Sequence, residues 1–316
     1  MRTIPILLLA FLLLSPARAD DYFAAPGVVP GDGDASMIEG AVFDDRDRDG
    51  ARDDGEPGVE GVLVSNGLDW TATDAKGRYR IAVREDMNLT IVQPRGWRVP
   101  TDERRVPQIF YIHKPGGSPE PLRFGGLPDT GPAPARVDFP LAARADNGPF
   151  GCAIVGDSQT YSNREIGWLR DGVITDLQAT DVDCMLYVGD VVGDDLDLLD
   201  RVLEVGSAIG APQWLVHGNH DLDFDATSDA HSADTWRRVV GPNYYAFERG
   251  DTLFVVLDNV VYPCGPEDGH DFCADESSPT YNGRIDETQM RWLTGLLDRT
   301  PEARRVVIAT HVPLVS

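Results

Sequence analysis

Residues 213–221 read QWLVHGNHD, an apolar run that ends abruptly in a polar cluster. Two earlier stretches have the same form, GCAIVGDSQ at residues 151–159 and CMLYVGD at residues 184–190, and a later one, RRVVIATH, covers residues 304–311. Runs that are apolar throughout are typical of strands that are covered on both faces of a sheet. The sequence therefore predicts a sheet whose strands end in polar side chains.

Amphipathic segments lie between these runs, for example EIGWLRDGVITDL at residues 165–177. Apolar side chains recur there at helical spacing, which predicts a helix lying on the sheet with one buried face. That face would consist of Ile166, Leu169, Val173, Ile174 and Leu177. The alternation of strand and helix patterns predicts an α/β domain with a layered sheet flanked by helices.

Two further signals concern the end of the chain. Residues 244–247 and 252–257 are apolar runs separated by Arg249, Gly250 and Asp251, which predicts a hairpin. Asp286 precedes an amphipathic run and has Gln289 three residues later, which predicts a helix N-cap at Asp286.

The polar residues that follow the four apolar runs should converge, because ligands of open α/β sheets bind at the carboxyl ends of the strands. Carboxylate and amide oxygens and imidazole nitrogens are ligands of divalent cations, and one carboxylate can bridge two ions. A single Gly-Asp after a strand is more often an ordinary turn, but four such clusters in one order favour a metal site. The candidates are Asp157, Gln159, Asp190, Asn219, His220 and His311.

The order of these motifs, D-x-Q, GD, GNHD and a strand that ends in H-x-P, resembles that of the calcineurin-like metallophosphoesterases. The resemblance covers about residues 150–316 and implies two divalent metal ions, with Mn favoured over Fe, Mg and Zn. It implies that Asp157 and Gln159 hold the first ion, that Asp190 bridges, and that Asn219 and His311 hold the second.

The same resemblance implies a catalytic role for His220, paired with the carboxylate of Asp221. His220 would lie beside the substrate phosphate and stabilise or protonate the leaving oxygen, while a metal-bound hydroxide attacks phosphorus. The substrate would be a phosphate mono- or diester, carried by a small molecule or a lipid.

Three positions depart from the family pattern. Gln159 replaces the more common histidine, and this neutral amide favours Mn or Mg over Zn at the first site. Gly193 stands where a second aspartate is often found, and Asp194 follows one residue later. A closing G-H-x-H motif does not occur before Ser316. We therefore expect the phosphoesterase domain, residues 148–316, to be incomplete, short of one histidine at each metal, and to bind metal weakly.

The segment before this domain has a different hydrophobic pattern, without helical spacing. Residues 36–142 contain short β-like runs separated by glycine and aspartate turns, which predicts an all-β, sandwich-like module. Within it, FDDRDRDGARDDGEPG at residues 43–58 fits the spacing of a calcium-binding loop. Strand-like neighbours exclude an EF-hand, and the segment resembles calcium-binding β modules of bacterial surface proteins. We expect structural calcium rather than a solvated acidic turn, with the ligands Asp45, Asp47, Asp49, Asp53 and Glu56.

Export is predicted from the first residues. Residues 1–19 have an apolar core and an Ala-Arg-Ala cleavage signal, which indicates a signal peptide, and residues 20–35 form a linker. The apolar core is too short for a transmembrane segment, so the expected location is secreted or periplasmic. A net charge of -24 argues against nucleic acid as a partner.

The four cysteines of an exported chain can form disulfides. Cys264 and Cys273 enclose a polar loop that a disulfide would close, whereas Cys152 and Cys184 lie near strand starts, where a pair and two buried thiols are both open.

Two functions from different classes follow from these patterns. The first is an exported, metal-dependent phosphoesterase. The alternative is a calcium-stabilised surface or binding protein whose phosphoesterase domain is inactive.

Overall fold

The computed structural model describes residues 21–31, 36–119, 121–145, 148–264 and 280–314. The predicted signal peptide, residues 20 and 32–35 of the predicted linker, and Cys273 lie outside these residues. Among the residues that the structure describes, no helix is long and apolar enough to cross a membrane.

Two mixed or antiparallel sheets form the first half of the chain. In one sheet, β9 lies between β1 and β2, β5 pairs with the other edge of β2, and β7 pairs with β9; in the other, the order is β4-β3-β6-β8. The strands are β1 (Gly27–Val29), β2 (Met37–Asp44), β3 (Leu63–Ser65), β4 (Trp70–Ala72), β5 (Arg78–Ala82), β6 (Met87–Ile91), β7 (Trp97–Arg98), β8 (Phe110–His113) and β9 (Arg136–Ala143). Their apolar side chains, such as Ile38, Leu89 and Phe139, share one core.

Three short sheets form the second half. Strands β10, β11 and β12 are parallel, β13 and β14 form the predicted hairpin, and β17 lies parallel to β14. The strands are β10 (Cys152–Val155), β11 (Cys184–Val188), β12 (Gln213–Val216), β13 (Tyr245–Arg249), β14 (Thr252–Val256), β15 (Val260–Cys264), β16 (Thr280–Gly283) and β17 (Arg305–Ala309). The helices are α1 (Asn163–Leu169), α2 (Thr175–Gln178), α3 (Leu199–Ser207), α4 (Asp234–Val239) and α5 (Glu287–Leu297).

The layers of this half follow from which side chains are buried together. Met185, Tyr187 and Leu215 point to the side of the parallel sheet where the apolar residues of α1 and α3 lie. On the other side, Trp214 stacks on Phe247 of β13, with ring centroids 3.8 Å apart. The second sheet is covered in turn by α5. This arrangement is an α/β layered fold, as the sequence predicts.

The helix signals are borne out with one exception. Asp286 accepts a hydrogen bond from the Gln289 N–H at 2.7 Å, so the predicted N-cap is confirmed. In the segment that follows β10, Ile166, Leu169 and Ile174 are buried, but Val173 is exposed, against prediction. The cause is a turn of π-helix at Arg170–Ile174, which adds a residue to the turn and rotates Val173 out of the buried face.

Many contacts join the two halves. Trp70 donates a hydrogen bond to the Trp292 carbonyl at 2.9 Å, and the Glu248 N–H donates to the Gln93 carbonyl at 2.8 Å. Apolar residues of β11, β12 and β14 belong to the same core as the first two sheets. The division into domains at 36–142 and 148–316 stays a prediction.

A disulfide joins Cys152 and Cys184. The sequence leaves both a disulfide and two buried thiols open for this pair, and the structure has the disulfide. The two residues are partners in the register of β10 and β11, with Cα atoms 4.6 Å apart. The predicted pair of Cys264 with Cys273 falls outside the described residues.

Candidate metal centre

The carboxyl ends of β10, β11, β12 and β17 meet at one corner of the fold. Ligand atoms of Asp157, Asp190 and His311 lie within 4.8 Å of one another. His311 is central, because its Nε2 lies 3.0 Å from Asn219 Oδ1 and 3.3 Å from Asp190 Oδ1. Its Nδ1 lies 3.0 Å from the Val188 carbonyl and 3.8 Å from Asp157 Oδ1. The structure therefore brings these four predicted residues together.

Gln159 is held at the same corner by its main chain. Its N–H donates to the Asp190 carbonyl at 2.7 Å, and the Gly193 N–H donates to the Thr160 carbonyl at 3.0 Å. These bonds tie the loop after β10 to the loop after β11, so Gln159 and Asp190 have a fixed separation.

The backbone of these loops adopts a conformation that residues other than glycine rarely adopt. Asp157, Gln159, Asp190 and Asp194 all have positive φ, at 33°, 39°, 51° and 66°. Such residues are strained by about 1–3 kcal/mol each and persist where the surrounding structure enforces them, which is common at functional sites. Four such residues in one corner of the fold are typical of a functional site.

Two glycines permit the close approach of the strand ends. A Cβ on Gly189 would lie 2.2 Å from His311 Nδ1, and a Cβ on Gly218 would lie 2.1 Å from the Asp190 nitrogen. No side chain fits at either distance. The glycines of the GD and GNHD motifs are therefore required by the packing of Asp190 against His311 and Asn219.

The charges at the corner are coupled. Burial by itself would raise the pKa of Asp190, but the His311 hydrogen bond, the bond from the His220 N–H and the charges of the two histidines together outweigh it and lower the pKa. For His311, burial favours the neutral form, yet the bonds to Asp190 and to the Val188 carbonyl raise its pKa to about 9. Because Nδ1 faces a carbonyl, its proton stays there, and Nε2 is the nitrogen that can bind a cation.

His220 has a different partner from the one expected. Its Nδ1 lies 2.6 Å from Asp194 Oδ1, so the pairing with Asp221 is wrong. Asp221 is fully buried, and its carboxylate accepts the N–H groups of Val191, Val192 and Gly218. Those bonds hold the loop after β11 against the GNHD loop. The shifted spacing of Asp194 was the only sequence signal for its role, and it gave no partner.

Three neighbours complete the corner. Tyr161 is half exposed, and its ring lies edge-on to His220 with centroids 6.3 Å apart. Gly193 makes room for it, because a Cβ there would lie 2.5 Å from the Tyr161 ring. His217 is buried 3.5 Å from Asp258. Burial lowers its pKa, but Asp258 and Asp221 together more than offset this, so the pKa is raised.

The acidic loop of the first half also has an ordered geometry. Asp45 is buried and accepts the N–H groups of Arg48 and Gly50 and the hydroxyl of Tyr22. Ligand atoms of Asp45, Asp47 and Asp49 lie within 4.8 Å of one another.

The remaining two predicted calcium ligands close this loop. Glu56 accepts the Asp53 N–H at 3.0 Å and the Arg46 N–H at 2.7 Å. The negative charge of Asp49, together with some burial and the nearby Asp47 and Glu56, raises the pKa of Asp53. The loop thus concentrates negative charge, as a cation site requires.

Comparison with known proteins gives one family match. Residues 46–128 match the model described as the N terminal of calcineurin-like phosphoesterase. No curated protein matches the chain.

Solved structures that are similar include a dimetal phosphatase from Danio rerio, at 19% identity and a TM-score of 0.36, over 52% of this chain and 70% of that one. A purple acid phosphatase from yellow lupin (Lupinus luteus) seeds is 12% identical with a TM-score of 0.29, over 63% of this chain and 40% of that one.

Proposed function

We propose that this chain is a calcineurin-like phosphoesterase, a hydrolase of phosphate ester bonds that acts outside the cytoplasm on phosphate mono- or diesters with two divalent cations; the family match of residues 46–128 supports this. One observation carries the proposal. Asp157, Asp190, Asn219 and His311 meet at one corner of the fold, beside His220.

The donor set suits divalent cations. In the proposal, Asp157 and Gln159 hold one cation, Asp190 is shared, and Asn219 and His311 hold the other. Two carboxylates, two amide oxygens and one imidazole favour Mn over Zn, since hard oxygen ligands predominate. When bound, the cations would supply positive charge for the phosphoryl oxygens and lower the pKa of a coordinated water.

His220 would act on the leaving group. Its main-chain N–H donates to Asp190 Oδ1 at 2.8 Å, which fixes the residue beside the shared carboxylate. Its imidazole is partly exposed, and the Asp194 carboxylate on Nδ1 leaves Nε2 as the nitrogen that donates a proton to a departing oxygen. Asp194 is thereby a positioning residue. We propose that Asp221 supports both loops rather than touching substrate.

The test compares variants of the whole chain. Metal content is measured first, and hydrolysis of p-nitrophenyl phosphate and bis-p-nitrophenyl phosphate is then followed with Mn present. Asp190→Ala and His220→Ala should each lose at least about a hundredfold in rate, as expected for a metal-bridging group and a proton donor. Asp176→Ala, an exposed carboxylate on α2, is the matched control and should retain full rate. Full activity in Asp190→Ala would contradict the proposal.

We propose calcium as a structural ion in the acidic loop, held by Asp45, Asp47, Asp49, Asp53 and Glu56. The ordered, carboxylate-rich loop supports this, and a bound ion would stabilise the first half by mass action. The whole chain should melt at a higher temperature with calcium than with magnesium, and the difference should vanish in Asp49→Asn. Asp54→Asn, an exposed aspartate outside the proposed ligand set, is the control. Equal melting temperatures in calcium and magnesium would contradict the proposal of a structural calcium ion.

The alternative function is a calcium-stabilised binding protein with an inactive phosphoesterase domain, and it differs from the first in its expectation for hydrolysis. It requires the calcium effect on melting without any hydrolysis that depends on Asp190. The two measurements above separate the two functions.

A further inference from the structure

Tyr161 carries an exposed aromatic ring at the metal corner, beside the proposed proton donor His220. The residue is 51% exposed, and its ring centroid lies 6.3 Å from that of His220, with 74° between the two ring planes. Single exposed aromatic side chains are common on protein surfaces and need no function. A role for Tyr161 therefore depends on the contacts that hold its ring in this place.

The main chain around Tyr161 is fixed on both sides. Its N–H donates to Glu165 Oε2 at 2.6 Å, and the carbonyl of the preceding residue, Thr160, accepts the Gly193 N–H at 3.0 Å. The residue that follows, Ser162, is the N-cap of α1, and its side chain accepts the Glu165 N–H. A ring on such a segment loses little backbone freedom when a ligand binds, so Tyr161 is preorganised for contact.

One face of the Tyr161 ring lies on Gly193. A Cβ at Gly193 would be 2.5, 2.5 and 2.6 Å from three consecutive ring atoms, Cδ1, Cε1 and Cζ, so Gly193 lies under the face of the ring and not at its edge. The φ of Gly193 is outside the left-handed region, so glycine is needed there for the ring and not for the backbone. Because Gly193 covers one face and half of the residue is exposed, the opposite face is the one that is open.

The leaving group of a substrate would lie beside this ring. In the proposed function, His220 Nε2 donates a proton to the leaving oxygen, because the Asp194 carboxylate lies 2.6 Å from Nδ1. Asp194 directly follows Gly193, so one loop both orients the imidazole and supports the Tyr161 ring. An oxygen at hydrogen-bonding distance from Nε2, ~3 Å, carries its organic group into the space next to Tyr161. Aromatic rings attract one another at centroid separations of about 4.5–7 Å, so a ring on that oxygen reaches the ring of Tyr161.

We propose that the open face of Tyr161 is a leaving-group subsite, which favours phosphate esters whose leaving oxygen carries a planar aromatic group. The inference rests on the proposed function and narrows it, since it names the class of leaving group. An alkyl group would meet the same ring but lacks the π surface that makes offset or edge-on packing favourable. Tyr161 contacts the substrate in this proposal and takes no part in proton transfer.

Binding of benzylphosphonate and methylphosphonate tests the subsite without turnover. Both compounds have carbon in place of the ester oxygen and are not hydrolysed, and methylphosphonate reports only on the phosphoryl group at the metal corner. Their dissociation constants are measured by calorimetry on the whole chain with Mn. Tyr161→Leu should weaken benzylphosphonate binding about five- to tenfold, the usual contribution of an aromatic pair, and leave methylphosphonate binding unchanged. Tyr161→Phe keeps the ring and should bind both compounds as the wild type does.

Two further variants complete the comparison. Gly193→Ala displaces the ring while Tyr161 stays in the chain, so it should also weaken benzylphosphonate binding, and it replaces Tyr161→Leu if the melting curve of that variant shows misfolding. Trp168→Leu removes an exposed aromatic ring of α1, which lies against Arg164, and should leave both dissociation constants unchanged.

The outcomes separate this inference from the proposed function. Equal weakening of both phosphonates by Tyr161→Leu, no weakening of either, or no benzylphosphonate binding by the wild type overturns the subsite. A selective loss of benzylphosphonate binding in a chain that hydrolyses no phosphate ester would support the subsite and contradict the proposed function.

Discussion

Replacement of Asp194 by asparagine separates the role of this residue from that of Asp221. Asp194 is half exposed, with a side-chain exposure of 49%, and its φ of 66° is one that asparagine tolerates as readily as aspartate. The substitution therefore removes the negative charge on His220 Nδ1 without straining the loop. Stability should change by no more than ~0.5 kcal/mol.

The expected effect on rate follows from the hydrogen bond. A bond to a charged group contributes ~1.5–3 kcal/mol and a neutral one ~0.5–1.5 kcal/mol, so the substitution loses ~1–2 kcal/mol of imidazolium stabilisation. That loss corresponds to a fall in kcat of roughly 5- to 30-fold. The fall should be larger for aryl phosphates with poor leaving groups than for p-nitrophenyl phosphate, because a proton donor matters most when the leaving oxygen is basic.

Asp221→Asn should give the opposite signature. The asparagine amide would face N–H groups that the carboxylate now accepts, and each buried group left unsatisfied destabilises the fold by ~1–3 kcal/mol. The melting temperature should therefore fall, and any loss of kcat should be the same for all leaving groups. Asp197→Asn, an exposed neighbour, is the control for both.

The assay is kcat for a series of aryl phosphates, together with thermal melting of each variant. Full kcat across the series in Asp194→Asn would refute the assignment of Asp194. Reduced kcat at unchanged melting temperature in Asp221→Asn would restore the pairing that the sequence suggested.

Three further predictions concern the metal corner. His311 has a pKa of about 9 and must lose its Nε2 proton to bind a cation, so Mn affinity should rise about tenfold per pH unit up to about pH 9 and then level off; equal affinities at neutral and alkaline pH in calorimetry would contradict this. Burial raises the pKa of Asp221 to about 6, above its value of roughly 3.9 in the unfolded chain, so the folded metal-free protein binds the extra proton and its stability falls as pH rises between these values. The fall, ~3 kcal/mol, should appear as the difference between denaturation curves of wild type and Asp221→Asn, and a constant difference from pH 4 to 6 would disprove it. Gly193→Ala places a methyl group against the Tyr161 ring, so it should destabilise the chain by ~1 kcal/mol, and Tyr161→Ala should abolish that effect in a double-mutant cycle; additive effects would contradict the contact.

The sequence by itself determined the strand ends and the residues that follow them. Runs such as CMLYVGD carry their own signal, because an apolar segment that is closed by glycine and a polar residue is a strand end wherever it lies. Parallel pairing then brings such ends to one edge, and this is why the sequence alone groups Asp157, Asp190 and Asn219. The Asp286 N-cap and the hairpin at Gly250 are local signals of the same kind.

Only the tertiary structure decided which of these residues touch. His220 is followed directly by Asp221, yet neighbours along a tight turn point apart, and the carboxylate that reaches its imidazole comes from Asp194 in another loop. Val173 is exposed rather than buried because the π-helical turn at Arg170–Ile174 shifts the positions that follow around the helix axis. The hydrophobic periodicity of the sequence does not reveal such a turn. A cavity between the two halves of the chain is lined by residues that lie about 200 positions apart, such as Arg48 and Arg249. Local patterns record the backbone conformation of a few residues, whereas partners and cavities depend on distances that the whole packed chain sets.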